Sequence, residues 1–277
     1  MLQRQGLKRY WLILAGMALI LTGAVAASAD EFPLRAKHPT LTFIDTKELT
    51  AIFDQAVIVD ARDVMEYKVI HMKGAKNFPV SKMTEAELQA LRPKDGAAPM
   101  VFYCNGINCE KSYNGAEKAV KWGFANVKVY DAGIFAWAES QPERTVILDV
   151  PQTVESIKTA LMSKDKLAAH MLSTADFIAK SKDAAYTVID IRDTNEKKEI
   201  PIKLPKLKAI PLDTMVKLIK EKSPAVPTKN ILIIDTVGQQ VMWVQYYLEQ
   251  AGITDYYFLK GGAGQWKKDG YKENGEK

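Results

Sequence analysis

Short apolar runs alternate along the chain with segments in which apolar residues recur at helical spacing. Met100–Tyr103 and Ile231–Ile234 are uninterrupted apolar runs with the length of buried strands. Ala116, Ala119 and Val120 are predicted to share one face of a following helical segment, and Gly123 ends it. This alternation of strands and helices predicts an α/β fold with mostly parallel sheets covered by helices.

The same pattern appears twice in the chain. Aspartate, arginine, aspartate and glutamate follow one apolar run and recur 130 positions later: Asp60, Arg62, Asp63 and Glu66, then Asp190, Arg192, Asp193 and Glu196. Two glycines and a tryptophan recur 129 positions later: Gly123, Gly133 and Trp137, then Gly252, Gly262 and Trp266. Ordered matches of this kind indicate a duplication. The two tryptophans are predicted to be packing residues, since they occupy matching places.

The duplication predicts two domains, over residues 40–145 and 170–272. A linker helix is predicted within residues 146–169. Cys104 directly follows the strand Met100–Tyr103 in the first copy, whereas Asp235 occupies that place in the second. We therefore predict that the second domain, which lacks a cysteine, is inactive.

Cys104 lies where a strand ends and a turn, Asn105-Gly106, leads into a helix. The N–H groups at the start of a helix have no intrahelical partner and carry positive potential, so they stabilise a thiolate or a bound anion. A thiolate is the nucleophilic form of cysteine. The sequence thus predicts a nucleophile at Cys104, with a buried core cysteine as the alternative.

The first 29 residues combine a basic start with an uncharged run over residues 10–27 and the small residues Ala27-Ser28-Ala29. This pattern is typical of a secretory signal, and we predict cleavage after Ala29 and a periplasmic location. The apolar run is also just long enough to span a bilayer, so an uncleaved anchor facing the periplasm is the alternative. Membrane association is expected only in that case.

Composition narrows the classes of partner. The net charge is +5, and without the three basic residues of the signal it becomes +2, from 35 basic against 33 acidic residues. That balance is too mild to predict nucleic-acid binding. With three histidines and no ligand spacing, we predict no metal site and no cofactor. Two cysteines exclude a disulfide scaffold, although Cys104 and Cys109 could pair in an oxidising compartment.

Three segments resemble the signatures of rhodanese domains, and they occur in the family's order. They read IVDARDVMEY (58–67) with HMKGAKNFP (71–79), YCNGINCEKS (103–112), and GFANVKVYDAGIFAW (123–137). The resemblance covers about residues 40–145 and, more weakly, 170–270, which together are most of the chain after the signal. It implies two tandem rhodanese-like domains, each a mostly parallel five-stranded sheet flanked by helices.

The resemblance also implies sulfur transfer through a persulfide on Cys104, which matches the family's catalytic cysteine. The donor would be thiosulfate or another sulfane compound, and the acceptor a thiol, cyanide or a protein. The implied substrate-binding residues are those of the loop, together with Arg62: Asn105, Gly106, Ile107, Asn108, Cys109, Glu110 and Lys111. An ion pair with Asp60 or Glu66 is the alternative for Arg62, and simple turn residues are the alternative for the two asparagines.

One departure from the family pattern concerns the loop. The arginine and serine that commonly follow the cysteine by five and six positions correspond here to Lys111 and Ser112, at seven and eight. A lysine offers a point charge rather than a bidentate fork, so thiosulfate would be held less specifically. Two other functions stay open: thiol–disulfide exchange through Cys104 and Cys109, and a non-catalytic binding module on this fold.

Overall fold

The computed structural model describes residues 32–277, and these divide into two compact units. The first unit comprises the described residues up to Arg62 together with Gly74–Ser140. The second comprises Asp63–Lys73 and Gln141–Lys277. The predicted signal or anchor in residues 1–29 lies outside the described part of the chain. No helix within residues 32–277 is both long and apolar enough to cross a membrane.

The strands are short throughout. In chain order they are β1 (Thr42–Phe43), β2 (Val57–Asp60), β3 (Ile70–Met72), β4 (Lys76–Asn77), β5 (Met100–Tyr103), β6 (Val127–Tyr130), β7 (Thr145–Ile147), β8 (Val150–Pro151), β9 (Met171–Leu172), β10 (Thr187–Asp190), β11 (Leu207–Ala209), β12 (Ile231–Ile234) and β13 (Tyr256–Leu259).

The helices of the described residues alternate with these strands. They are α1 (Thr46–Ile52), α2 (Val64–Val69), α3 (Glu85–Leu91), α4 (Lys111–Lys121), α5 (Gly133–Ser140), α6 (Ile157–Ala160), α7 (Lys164–Ala169), α8 (Thr174–Ser181), α9 (Thr194–Glu199), α10 (Leu212–Lys220), α11 (Val241–Gln250) and α12 (Gly262–Lys268).

The first unit contains a five-stranded sheet in the order β1-β6-β5-β2-β4, with every neighbouring pair parallel. The central strand β5 is buried along its whole length. It is apolar at every position because both faces of a parallel sheet are covered by helices and neighbouring loops. Asp60, Tyr103 and Tyr130 lie side by side in the register. The residues that follow them therefore leave the sheet at one carboxyl edge.

The second unit contains a five-stranded sheet in the corresponding order, β11-β10-β12-β13-β9, also parallel throughout. Its central strand β12 is fully buried, like β5. The predicted fold class, two α/β domains with five-stranded parallel sheets, is confirmed. A second sheet in this unit was not predicted: β3, β7 and β8 form a three-stranded antiparallel sheet.

Local signals explain where several helices begin. Asp45 and Glu48 form a capping box at the start of α1, and Thr84 and Glu87 form one at the start of α3. The segment predicted as one linker helix instead contains the end of β7, the strand β8 and two short helices, α6 and α7. Ser163 caps α7 by accepting a hydrogen bond from the N–H of Lys166, which starts a new helix there.

Candidate active site

Cys104 leaves the carboxyl end of β5 and begins a loop that ends where α4 starts, at Lys111. Its carbonyl accepts a hydrogen bond from the N–H of Ile134, at 2.9 Å, which ties the loop to the start of α5. The side chain is 1% exposed. In open parallel sheets, ligands bind at this carboxyl edge, so the predicted nucleophile lies where the fold places its sites.

Cys104 and Cys109 form a disulfide bond, with their Cα atoms 6.2 Å apart. Between them the chain curls back, and the N–H of Cys109 donates to the carbonyl of Gly106 at 2.9 Å. The pairing that the sequence left open is therefore present in this structure. Both cysteines of the chain are used in it.

Gly133 brings the start of α5 directly against this loop. Its φ is +81°, and a Cβ added there would lie 2.3 Å from the backbone nitrogen of Gly106. The second unit repeats the arrangement, since a Cβ added at Gly262 would lie 2.6 Å from the carbonyl oxygen of Asp235. The repeated glycine thus has a physical reason: only a residue without a side chain allows the two backbones to approach this closely.

We expect Gly133→Ala to lower the free energy of unfolding by about 2–5 kcal/mol, because it combines left-handed backbone strain with a clash against the loop. Gly123→Ala is the matched control: its φ is +86°, but an added Cβ would meet no atom within 4 Å. That control should cost only the backbone strain, about 1–2 kcal/mol. Urea unfolding of both variants measures the difference, and equal losses would contradict the close approach.

Arg62 is fully buried and forms an ion pair with Asp60. Its Nε and Nη2 donate to the two carboxylate oxygens at 2.9 and 2.6 Å, while Nη1 donates to Oδ1 of Asn105 at 3.1 Å. We predicted a role in anion binding, with the ion pair as the alternative, and the structure places the guanidinium in that ion pair. Arg62 therefore contacts the loop through its hydrogen bond to Asn105. Arg192 and Asp190 repeat the pair in the second unit.

The other predicted substrate-binding residues differ in exposure. Ile107, Asn108 and Glu110 are exposed, whereas Asn105, Gly106, Cys109 and Lys111 are half-buried. Glu110 forms a surface ion pair with Lys37, at 3.0 Å. The structure thus brings these residues together around the disulfide, with the middle of the loop facing solvent.

A buried group that the sequence did not predict supports the first turn of α4. Tyr113 donates a hydrogen bond to Asp131 at 2.8 Å, and Arg35 forms a bidentate ion pair with the same carboxylate, at 2.7 and 2.8 Å. Burial and the bond to Asp131 raise the pKa of Tyr113 well above its ordinary value, so the phenol stays protonated and keeps donating. The position of Asp131, directly after β6, was the available signal.

Ser112, in the same first turn of α4, is 1% exposed, and its hydroxyl has no hydrogen-bond partner among the described residues. From the sequence we identified Ser112 as the counterpart of the family's serine, next to Lys111, and predicted no role for it. A buried hydroxyl without a partner is costly.

In the corresponding loop of the second unit, backbone N–H groups donate hydrogen bonds to a carboxylate. Asp235 follows β12 and is fully buried, and its carboxylate accepts hydrogen bonds from the N–H groups of Gly238 and Gln240 at 2.7 and 2.8 Å. Burial raises the pKa of Asp235 above its ordinary value, and these bonds to the carboxylate oppose the rise. The loop amides thus converge on an acidic side chain.

Comparison with known proteins agrees with this geometry. Residues 45–140 match the rhodanese-like domain family. A probable adenylyltransferase/sulfurtransferase MoeZ of Mycobacterium tuberculosis is 30% identical over 117 residues, which are 42% of this chain and 29% of the relative. The chain therefore spans less than a third of the length of that curated relative.

Among solved structures, thiosulfate sulfurtransferase from Pseudomonas aeruginosa is 20% identical over 85% of this chain and 44% of its own, with a TM-score of 0.37. A rhodanese-related protein from Thermoplasma volcanium is 18% identical over 41% of this chain and 99% of its own, with a TM-score of 0.31. The chain therefore contains a rhodanese-like domain at residues 45–140, and this domain includes the Cys104 loop.

Proposed function

We propose that the protein is a sulfurtransferase in which the reduced form of Cys104 carries sulfane sulfur as a persulfide. The observation that supports this most is the position of Cys104, at the carboxyl end of the central strand and in a loop that leads into the N-terminus of α4. This loop lies within the part of the chain that matches the rhodanese-like family. The mycobacterial relative is itself a probable adenylyltransferase/sulfurtransferase.

The reaction has two halves. The Cys104 thiolate attacks the outer sulfur of thiosulfate, the S–S bond of the donor breaks, and sulfite leaves with the electron pair. An acceptor such as cyanide or a thiol then attacks the outer sulfur of the persulfide, which regenerates the thiolate. Covalent storage on one nucleophile divides one transfer into two steps.

Backbone N–H groups stabilise the negative charge on Cys104 and on the donor during transfer. The first-turn N–H groups of α4 lack intrahelical partners. The positive potential at the N-terminus of a helix stabilises a nearby anion. Asp235 supports this role for the loop, because the N–H groups of Gly238 and Gln240 bond to its carboxylate at the corresponding place in the second unit. Backbone donors fixed before reaction stabilise developing charge without reorganisation.

The disulfide bond has a consequence for this cycle. With Cys104 bonded to Cys109 and 1% exposed, the disulfide form offers no thiolate to a donor. Reduction releases Cys109 and lets the loop open around its exposed residues, Ile107, Asn108 and Glu110. We therefore assign donor uptake to the dithiol form.

Steady-state kinetics of the reduced protein test the proposal. Thiocyanate should form from thiosulfate and cyanide with a ping-pong pattern, in which double-reciprocal lines at different cyanide concentrations are parallel, because sulfite leaves before cyanide reacts. The disulfide form should produce none. Intersecting lines, or no product with thiosulfate or any persulfide donor, would contradict a covalent carrier at Cys104.

A further inference from the structure

We propose that the disulfide form of the protein takes up hydrosulfide directly and becomes a persulfide without any sulfane donor. The inference rests on the proposed function, because it ends at the same Cys104 persulfide. It adds a second substrate, inorganic sulfide, and a second starting state. In this reaction the Cys104–Cys109 bond is itself the oxidant.

The two cysteines of this bond are unequally exposed. The Cys104 side chain is 1% exposed, whereas Cys109 is half-buried and lies between the exposed residues Asn108 and Glu110. A nucleophile from solvent therefore meets the sulfur of Cys109 first. Access and the choice of sulfur attacked both control thiol–disulfide exchange. Hydrosulfide is the smallest sulfur nucleophile and so is the least hindered by the packed loop.

The stability of the leaving thiolate also favours attack at Cys109. Attack at Cys109 releases Cys104 as a thiolate at the carboxyl end of β5, in the loop that leads to the N-terminus of α4. A thiol of low pKa leaves faster, and a helix N-terminus lowers the pKa of a cysteine. The amide bonds to Asp235 show the corresponding loop of the second unit binding an acidic side chain. Accessibility and leaving-group stability thus both select Cys109 as the sulfur attacked.

The first step breaks one S–S bond and forms another. Hydrosulfide attacks the Cys109 sulfur, the Cys104–Cys109 bond breaks, and its electron pair leaves on Cys104 as a thiolate. The incoming sulfur keeps its proton and becomes the outer atom of a Cys109 hydropersulfide. The disulfide has been reduced by two electrons, and the sulfide sulfur has been oxidised to sulfane sulfur.

The second step moves this sulfur to Cys104. The Cys104 thiolate attacks the outer sulfur of the Cys109 hydropersulfide, the bond from Cys109 to that sulfur breaks, and Cys109 leaves as a thiolate. The product is the Cys104 persulfide of the proposed cycle. One disulfide loads one sulfur atom, so the expected stoichiometry is one added sulfur per chain in a single turnover.

A comparison of two redox forms with two sulfur sources tests the inference on the whole protein. Protein isolated without reductant should show no free thiols, and a reduced sample should show two. Each form is mixed without oxygen with one equivalent of hydrosulfide or with thiosulfate, alkylated, and weighed as the intact chain. We expect added sulfur in the disulfide form with hydrosulfide and in the reduced form with thiosulfate, and in neither of the other two mixtures.

The four mixtures separate this inference from the proposed function. Reduced protein mixed with hydrosulfide has no oxidant, so sulfur added in that mixture would show that the reagent contains polysulfide. In that case the sulfur added to the disulfide form could not be assigned to hydrosulfide, and the inference would be overturned. Failure of the reduced form with thiosulfate would overturn only the thiosulfate reaction. A disulfide form that stays unchanged in hydrosulfide, or that gains two thiols without added sulfur, would overturn the inference.

Fragmentation of the peptide that contains both cysteines locates the added sulfur. Sulfur on Cys104 supports the second step, and sulfur confined to Cys109 would contradict it.

Discussion

Replacement of Cys104 by serine is expected to abolish sulfur transfer, with a loss on the order of 10⁴-fold or more in the rate of thiocyanate formation. A serine hydroxyl is not ionised near neutral pH and cannot store sulfane sulfur. The substitution keeps the size and burial of the side chain, since Cys104 is 1% exposed. The unfolding curve of the variant, compared with that of the reduced wild type, shows whether the fold is retained.

Cys109→Ala is the matched control because it removes the same disulfide and leaves Cys104 in place. It should retain a measurable rate of transfer, whereas Cys104→Ser should not. If both variants lose transfer equally, the two cysteines act as a pair, and thiol–disulfide exchange becomes the better account of the site. Transfer that persists in Cys104→Ser would contradict the proposed nucleophile.

Arg62→Met is expected to lower the free energy of unfolding by about 3–5 kcal/mol, because it leaves the carboxylate of Asp60 buried without its partner. Both side chains are fully buried in the wild type. Urea unfolding measures the loss. The variant should also slow sulfur transfer, since Asn105 loses the hydrogen bond that Arg62 donates to its side chain.

Two controls isolate these effects. Lys203→Met removes a cation from an exposed ion pair with Glu273 and should cost about 0–1 kcal/mol. Arg192→Met breaks the corresponding buried pair with Asp190 in the second unit, so it should destabilise the protein as strongly and leave transfer at Cys104 unaffected. A loss below about 1 kcal/mol for Arg62→Met would show that the buried pair is dispensable.

The parts of the fold that the sequence predicted are those with a local signal. The runs that form β5 and β12 are apolar at every position because both faces of each strand are buried. The position of Cys104 was predictable for the same reason, since the end of such a strand and a turn such as Asn105-Gly106 are visible in a few consecutive residues.

The rest depends on contacts between distant residues. The antiparallel pairing of His71 with Val146 joins positions 75 apart, and neither short strand has a pattern of its own. The support of α4 by Arg35 and Asp131 joins positions 96 apart. The cysteine pairing was conceivable from the spacing, but it depends on how far the loop curls, which its sequence does not determine.

The most direct test of the central claim is the intact mass of the reduced protein after exposure to thiosulfate and removal of the excess. We predict one added sulfur atom per chain, located on Cys104 by fragmentation and removed by cyanide. An unchanged mass with thiosulfate and with every persulfide donor, in a sample that shows two free thiols, would contradict the claim that Cys104 carries sulfur.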